Sequence, residues 1–232
     1  MRTAAIIAAS GTGIRMNAEL PKQFLLLEGV PVLARTMKVF DRSPLITSIL
    51  PVVPSGYIDR TEKEIIKAHR ITKCLPPVTG GLRRQDSVKL GFLALPPVDM
   101  VIIHDGVRPF IDEDLISRCL EAAGDSGASL CAFQPVETVK KSDDSLRVRG
   151  TLDRNTIWLA QTPQAFRRQV LQTAYDTIPP EETFTDEAAL VEAAGFPIVL
   201  VPGPAGNIKI TSPEDMILSR AILSVSKERS DG

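Results

Sequence analysis

The stretch IIAASGTGIRMNAELPKQF, residues 6–24, holds the features that decide the fold. An apolar run leads into SGTG at 10–13, and Arg15 and Lys22 follow. Glycines let backbone N–H groups approach a ligand closely, and a helix N-terminus behind such a loop favours an anion. The stretch therefore predicts a buried strand that leads into a phosphate-binding loop.

This loop differs from two common nucleotide-binding loops. The dinucleotide fingerprint needs a third glycine where Met16 stands, and the P-loop needs a Gly-Lys-Ser/Thr sequence that the stretch lacks. Arg15 instead offers a planar fork that matches phosphate oxygens, and Lys22 offers a point charge. A glycine loop with two cations suits a triphosphate. A strand-to-helix turn with solvated charges remains the alternative on this stretch alone.

Strand-length apolar runs alternate with helical periodicity along the rest of the chain. The predicted strands are 4–9, 46–53, 73–78, 100–104, 128–134 and 198–202. Helical spacing relates Leu33, Met37 and Phe40, then Leu115, Cys119 and Ala123, and finally Ile217, Ala221 and Val225. Alternating units of this kind predict an α/β fold with a mostly parallel sheet, organised as a single domain over residues 1–232.

The segment 136–152 interrupts this alternation and predicts a β-hairpin. Its SDDS sequence at 142–145 is typical of a turn, and apolar and polar residues alternate from Leu146 to Leu152. The hairpin is either a solvated edge ribbon or an arm that projects from the sheet and contacts a second subunit.

Composition excludes several classes of protein. The net charge of −1 provides no broad basic surface for nucleic acid. No run approaches the ~20 apolar residues that a transmembrane helix needs. Cys74, Cys119 and Cys131 are widely spaced and form no CxxC pair, which indicates reduced core cysteines in a cytoplasmic protein.

A second candidate site lies in MVIIHDGVRPF, residues 100–110. Asp105 follows an apolar strand, where open α/β sheets place ligand groups, and its carboxylate is a hard ligand suited to a divalent metal. Arg108 lies three residues after Asp105. It either binds a phosphate or forms a structural pair with Asp105. We interpret His104 as a polar residue at a strand end rather than as a metal ligand.

Three further segments are weaker signals. TGGLRRQDSV at 79–88 combines glycines with arginines before a helix, and its alternative is a turn capped by Asp86. Arg154 and Thr162 lie in TLDRNTIWLAQTPQAF, residues 151–166. Lys209 lies in the strand-like run GNIKIT, where an exposed edge lysine is the alternative.

Taken together and in this order, the segments resemble the 2-C-methyl-D-erythritol 4-phosphate cytidylyltransferase family of the non-mevalonate isoprenoid pathway, over residues 3–225. The stretches that carry the resemblance are AASGTGIRM, LPKQF, GGLRRQDSV, HDGVRPF, DRNTIWLAQTPQAF, TDEAALVEAAG and NIKITSPEDM. The resemblance implies a Rossmann-like nucleotidyltransferase fold, with a twisted sheet flanked by helices. It implies a homodimer in which the arm at about 136–152 reaches the neighbouring active site. It also implies that CTP and methylerythritol 4-phosphate react with Mg²⁺ to give 4-diphosphocytidyl-2-C-methyl-D-erythritol and diphosphate.

The resemblance also assigns roles to residues. Arg15 and Lys22 match the pair that stabilises the transition state, and Asp105 matches the metal-linked aspartate. The positions implied for CTP are Ala8, Ala9, Ser10, Gly11, Gly13, Arg15, Lys22, Gly80, Gly81, Ser87 and Asp105. The positions implied for the sugar phosphate are Asp105, Arg108, Thr138, Arg154, Thr162, Thr185 and Lys209, with Thr138 reaching the partner subunit's site.

The sequence departs from the family's pattern in three segments. Ile14 replaces a second arginine found in some members, and DGV at 105–107 replaces the more frequent DAA. Gly206 stands where some members carry an acid, which removes a candidate second protein ligand for Mg²⁺. The remaining alternatives are a cytidylyltransferase for another polyol phosphate such as ribitol 5-phosphate, a non-catalytic nucleotide-binding module, and an oxidoreductase that the missing third glycine argues against.

Overall fold

The structure is a computed structural model that describes residues 1–11 and 20–230. Its strands in chain order are β1 (Thr3–Ala8), β2 (Leu26–Leu27), β3 (Val30–Pro31), β4 (Ser48–Val53), β5 (Val78–Thr79), β6 (Met100–Asp105), β7 (Ala128–Phe133), β8 (Lys140–Ser142), β9 (Val148–Thr151), β10 (Leu159–Arg167) and β11 (Val199–Pro202). Among the described residues, seven strands form one sheet in the order β11-β7-β10-β6-β1-β4-β5. The strands β2 and β3, and likewise β8 and β9, form separate two-stranded ribbons.

Helices cover both faces of this sheet. They are α1 (Val32–Arg42), α2 (Ile58–Arg60), α3 (Arg84–Ala94), α4 (Glu113–Ser126), α5 (Arg168–Thr177), α6 (Glu187–Ala193) and α7 (Pro213–Ser230). A π-helical stretch, Thr61–Lys67, continues α2, and single 3₁₀ turns lie at Lys22–Phe24 and Arg154–Thr156. Within the described part of the chain, no helix combines the length and apolar character that crossing a membrane requires.

The central strands are apolar throughout because both of their faces are covered. In β1, Ala5 and Ile7 join the core formed with α1 and α4, whereas Ala4 and Ile6 join the core formed with α3, α5 and α6. This alternation follows from the two-residue period of a strand. The predicted α/β fold with helices on both faces is confirmed.

The sheet is parallel except around β10. Strand β1 pairs in parallel with β4 and β6, whereas β10 runs antiparallel to both β6 and β7. The sequence did not predict β10, since Gln161, Thr162 and Gln164 are polar and Pro163 interrupts the pattern. The register of β10 shifts between Ala160 and Gln164, and such an irregularity accommodates a proline that a regular strand excludes.

Two other expectations need correction. The strand expected at 73–78 consists of Val78–Thr79 and one isolated bridge between Cys74 and Ile49. Helix α7 forms as expected, but Ile217 and Val225 are 67% and 48% exposed. Its buried side contains Met216 instead, which packs against the cluster that also contains Leu27 and Val107. Apolar residues surround more than half of this helix, so the spacing did not identify the buried side.

The hairpin predicted at 136–152 is present as β8 and β9. Asp143 closes its turn by accepting hydrogen bonds from the backbone N–H groups of Ser145 and Arg147, each 3.0 Å long. Its apolar side chains face solvent, since Leu146 is 87% exposed and Val148 is 63% exposed. A ribbon that exposes apolar residues in the single chain has a surface available to a partner.

Candidate active site

A cleft of about 620 Å³ opens at the carboxyl ends of β1 and β6. Chain order reverses between these two strands, because β1 leads to β4 on one side and β6 lies on the other. Open α/β sheets bind ligands at such a switch point. The residues predicted for ligand binding that line this cleft are Ala8, Ala9, Ser10, Gly11, Lys22, Gly80, Gly81, Asp105 and Lys209.

The turn that carries Lys22 is fixed to the end of β1 by a buried glutamine. Gln23 is 1% exposed, and its Nε2 donates to the carbonyl oxygens of Ala9 at 2.6 Å and Gly11 at 3.0 Å. The neighbouring Phe24 stacks on Tyr57 with ring centroids 5.0 Å apart. These contacts place Lys22 in the wall of the cleft. The predicted residues Gly13 and Arg15 lie outside the described residues.

The opposite wall is built from Gly80, Gly81 and the start of α3. Ser10 Oγ lies 2.7 Å from Ser87 Oγ, which also accepts the backbone N–H of Gly81 at 3.0 Å. A Cβ atom on Gly80 would lie 2.3 Å from the Cβ of Ser10. The backbone at Gly80 and the loop after β1 therefore lie too close together to leave room for any side chain at position 80. Asp86 lies within the first turn of α3 and accepts a hydrogen bond from the backbone N–H of Arg83. Arg83, not Asp86, is therefore the N-cap residue, which corrects the sequence-based interpretation.

Asp105 is the electrostatic centre of the cleft. Its Oδ2 lies 2.9 Å from Lys209 Nζ and 3.4 Å from Arg108 Nε, and its Oδ1 lies 3.2 Å from Arg84 Nε. Burial by itself raises the pKa of Asp105, but the charges of Arg84, Lys209 and Arg108 outweigh it and hold that pKa well below its usual range. The carboxylate is therefore ionised at neutral pH.

Lys209 reaches Asp105 because Asn207 anchors its segment to β10. Asn207 is fully buried, and its Nδ2 donates to the carbonyl oxygen of Thr162 at 2.8 Å. The backbone carbonyl oxygen of Asn207 accepts a 2.7 Å hydrogen bond from Arg108 Nη1. The segment 206–211 is not a strand, so the edge-strand interpretation of Lys209 is wrong.

Six predicted residues that the structure describes do not line the cleft: Ser87, Arg108, Thr138, Arg154, Thr162 and Thr185. Ser87 and Arg108 lie directly behind it, in contact with Ser10 and Asp105 respectively. Thr162 is 3% exposed and lies beneath Asp105. The backbone N–H of Asp105 donates to Thr162 Oγ1 at 3.1 Å. Thr138 is exposed just before β8, and Arg154 is exposed and donates to the carbonyl oxygen of Val136. Thr185 is exposed and lines a different surface depression. In the single chain, therefore, Thr138, Arg154 and Thr185 are separate from the cleft.

Sequence reasoning missed several residues that hold the site together. Arg84 contacts both Asp105 and Glu187, and Gln23 and Asn207 fix the two lysine-bearing segments. Both Gln23 and Asn207 lie in stretches that had been singled out, next to the lysines. Glu187 lies in the first turn of α6, where an acidic residue is common because it interacts favourably with the helix dipole. A single sequence contains no indication that this residue pairs with Arg84.

The protein offers one carboxylate for a metal in this cleft. Asp105, the last residue of β6, is the only acidic side chain among the described residues that line the cleft. In the described ranges, no three histidine, cysteine or acidic side chains are grouped so that they could hold a metal ion. Mg²⁺ is commonly held by one or two carboxylates together with phosphate oxygens, and an ionised Asp105 fits that arrangement.

Known proteins of one family resemble this chain along its whole length. The family profile of 2-C-methyl-D-erythritol 4-phosphate cytidylyltransferase matches residues 3–225. Proteins of that name from Syntrophus aciditrophicus and Geobacter metallireducens are 44% and 42% identical, covering 98% and 96% of this chain and 98% of each relative. A crystal structure of 4-diphosphocytidyl-2C-methyl-D-erythritol synthase from Anaerococcus prevotii matches with a TM-score of 0.85, 31% identity and 96% coverage of each chain.

Proposed function

The chain belongs to the 2-C-methyl-D-erythritol 4-phosphate cytidylyltransferase family. We propose that it joins CTP to 2-C-methyl-D-erythritol 4-phosphate in the cleft described above. The products are 4-diphosphocytidyl-2-C-methyl-D-erythritol and diphosphate. The observation that carries the proposal is the convergence of Lys22, Asp105 and Lys209 on one cleft beside a glycine wall. The enzyme is a nucleotidyltransferase.

The reaction needs alignment and charge neutralisation more than covalent help from the protein. A phosphate oxygen of methylerythritol 4-phosphate attacks the α-phosphorus of CTP, and a new P–O bond forms. The bond between the α- and β-phosphates breaks, and diphosphate leaves with its electron pair. Both reactants are anions, so fixed cations lower the barrier by compensating the charge that develops at the α-phosphate.

Lys22 is the first described cation after the glycine loop, and we assign it to the triphosphate. Gln23 ties its 3₁₀ turn to the loop after β1, so the backbone at Lys22 is fixed relative to that loop. Arg15, with its planar guanidinium, is proposed to act with it. On the opposite wall, Gly80 and Gly81 allow the cytosine edge to approach the backbone, where a purine would be too large.

Lys209 and Arg108 are proposed to hold the sugar phosphate. Both contact Asp105 Oδ2, at 2.9 and 3.4 Å, so their charged groups lie close together around this carboxylate, with Lys209 lining the cleft. A phosphate placed there would receive hydrogen bonds from both cations, while Asp105 keeps them oriented. Asn207 supports this arrangement by fixing both the Arg108 guanidinium and the Lys209 segment.

We also propose that Mg²⁺ takes part, with Asp105 as its protein ligand. The position at the carboxyl end of β6 and the ionised carboxylate support this assignment. Bound Mg²⁺ would supply further neutralisation of the triphosphate oxygens. Gly206 brings no acid to the site, so phosphate oxygens and water would complete the coordination.

A homodimer is the proposed working form. Thr138 and Arg154 lie at the base of the hairpin and away from the cleft of their own chain, which suits a role in the partner's cleft. The exposed apolar residues of the hairpin, Leu146 and Val148, suit an interface. We place the protein in the cytoplasm, since Cys74, Cys119 and Cys131 are free thiols.

A diphosphate-release assay with CTP tests the proposed substrate. Methylerythritol 4-phosphate and ribitol 5-phosphate are compared as acceptors at equal concentration, with cytidine 5′-monophosphate in place of CTP as the blank. The proposal expects diphosphate only with CTP, and a much higher kcat/KM for methylerythritol 4-phosphate. A preference for ribitol 5-phosphate would support the alternative polyol, and no turnover with either would support a non-catalytic module.

A further inference from the structure

A chain of three charged side chains runs from the cleft into the protein interior. Arg84 donates from Nε to Asp105 Oδ1 at 3.2 Å and from Nη1 to Glu187 Oε2 at 2.7 Å. Glu187 is 1% exposed and Asp105 is 4% exposed. Arg84 therefore connects the central carboxylate of the cleft with a carboxylate that lies behind it.

The two oxygens of Asp105 have different partners. Lys209 and Arg108 contact Oδ2, whereas Arg84 contacts Oδ1. A carboxylate that is held on one oxygen alone can rotate about its Cβ–Cγ bond, because this terminal torsion is broad. The Arg84 contact removes that freedom and keeps Oδ2 directed at Lys209 and Arg108.

Glu187 is held at a fixed position by the start of α6. The N-cap residue Asp186 accepts the N–H of Ala189 at 2.9 Å and a hydrogen bond from Gln164 Nε2 at 2.8 Å. Gln164 Oε1 in turn accepts the N–H of Ala188 at 3.0 Å. The first turn of α6 is thus fastened to β10, the strand that pairs with β6 and carries Thr162 beneath Asp105.

Stability alone does not explain why a carboxylate is buried here. Glu187 Oε1 and Arg84 Nη2 are buried without a hydrogen-bond partner, and a partly satisfied buried pair contributes little to folding. The same pair does fix the plane of the Arg84 guanidinium, whose Nε is directed at Asp105. Preorganisation of groups that support a site is a common role for such pairs.

We propose that Arg84 and Glu187 are positioning residues, which orient Asp105 so that Lys209 and Arg108 stay aligned for the sugar phosphate. Glu187 acts only through Arg84, and Arg84 acts through Asp105. This inference rests on the proposed function for its kinetic test, but the geometry of Asp105 itself can be measured without turnover.

The kinetic test compares Glu187→Gln, Arg84→Gln and the double variant with the wild type. Glu192→Gln, an exposed acid on the same helix, is the matched control. We expect each single variant to lower kcat by about tenfold or more, with a KM for CTP within about threefold of wild type. The double variant should be no slower than Arg84→Gln, because a residue that acts through another adds nothing once that other is gone. Glu192→Gln should match the wild type.

Wild-type kcat in Glu187→Gln would overturn the proposal, and so would losses that multiply in the double variant. Arg84→Lys is the second variant if Glu187→Gln fails to fold, which thermal unfolding reveals. It keeps the charge but loses the fork, so it should also lose about tenfold in kcat; unchanged kcat overturns the proposal.

Crystal structures of the wild type and Glu187→Gln separate this inference from the proposed function. We expect the variant to lose the Arg84–Asp105 Oδ1 contact and to show Asp105 rotated, even if no sugar phosphate proves to be a substrate. An Asp105 that keeps all its contacts in the variant contradicts the positioning role, whatever the activity of the protein.

Discussion

Lys209 and Asp105 meet at the floor of the cleft, with Nζ 2.9 Å from Oδ2. The lysine comes from a segment without regular structure, and the aspartate ends the buried strand β6. Asn207 and the backbone hydrogen bond from Ile210 to Val107, 2.9 Å long, hold the two segments together. The site is therefore a product of tertiary packing, in which a fixed anion holds cations in place.

Replacing Gly80 with alanine should weaken CTP binding. The added Cβ would lie 2.3 Å from Ser10 Cβ and 2.7 Å from Ser87 Oγ, so the loop after β1 must move away from α3. We expect the KM for CTP to rise about tenfold or more, which corresponds to at least ~1.4 kcal/mol of lost binding. Steady-state kinetics measures this. Gly124→Ala, where nothing lies within 4 Å, is the control and should keep the wild-type KM.

Stability should fall as the solution is acidified, partly because of His104. This residue is fully buried, and burial lowers its pKa to about 4. The unfolded chain, with a histidine pKa near 6.5, binds this proton more readily, so stability is present above pH 6.5 and is lost as the pH falls toward 4. The contribution is about 2 kcal/mol between pH 7 and pH 5.

Urea unfolding at several pH values checks this expectation. His104→Gln should show a shallower loss of stability between pH 7 and pH 5 than the wild type. His69→Gln alters a residue that is only partly buried, so its pH dependence should stay close to that of the wild type. Equal pH dependence in wild type and His104→Gln would mean that another group is responsible.

Activity should depend on a divalent metal. Asp105 is ionised and lies where phosphates would gather, so we expect excess chelator to abolish turnover and added Mg²⁺ to restore it. The diphosphate-release assay measures both steps. Undiminished turnover in chelator would show that the cations of the protein suffice without a metal.

Removal of the hairpin should convert a dimer into a monomer. Replacing residues 140–151 with a short glycine-serine turn deletes β8 and β9, whose Leu146 and Val148 are exposed in the single chain. Light scattering should report the mass of a dimer for the full chain and of a monomer for the variant. A full chain that is monomeric and fully active would refute the proposed role of the hairpin.

Much of the fold was predictable, for identifiable reasons. Strands buried on both faces, such as β1 and β6, are continuous apolar runs, and the turn at Asp143 has its own local hydrogen bonds. Strand β10 was not predicted because its buried polar residues serve the site: Thr162 accepts from Asp105, and Gln164 fastens α6. A hydrophobic pattern contains no signal for such roles.

The site was predictable only in part. Asp105 and Lys209 were identified from position and resemblance, whereas Arg84 and Glu187 were not, because their pairing joins α3 to a helix formed much later in the chain. The face of α7 was missed since that helix carries apolar residues on several sides. Long-range pairings of polar residues require the tertiary structure.

The role of Lys22 is the central claim of this account, and its alanine variant tests the claim most directly. Loss of a contact that stabilises charge in the transition state typically costs ~3–4 kcal/mol, so Lys22→Ala should reduce kcat by a factor on the order of 10²–10³. Lys63→Ala removes an exposed lysine from the π-helical stretch and is the matched control. In the diphosphate-release assay with CTP and methylerythritol 4-phosphate, we predict this loss for Lys22→Ala, with unchanged thermal unfolding, and wild-type rates for Lys63→Ala. Wild-type turnover by Lys22→Ala would contradict the account.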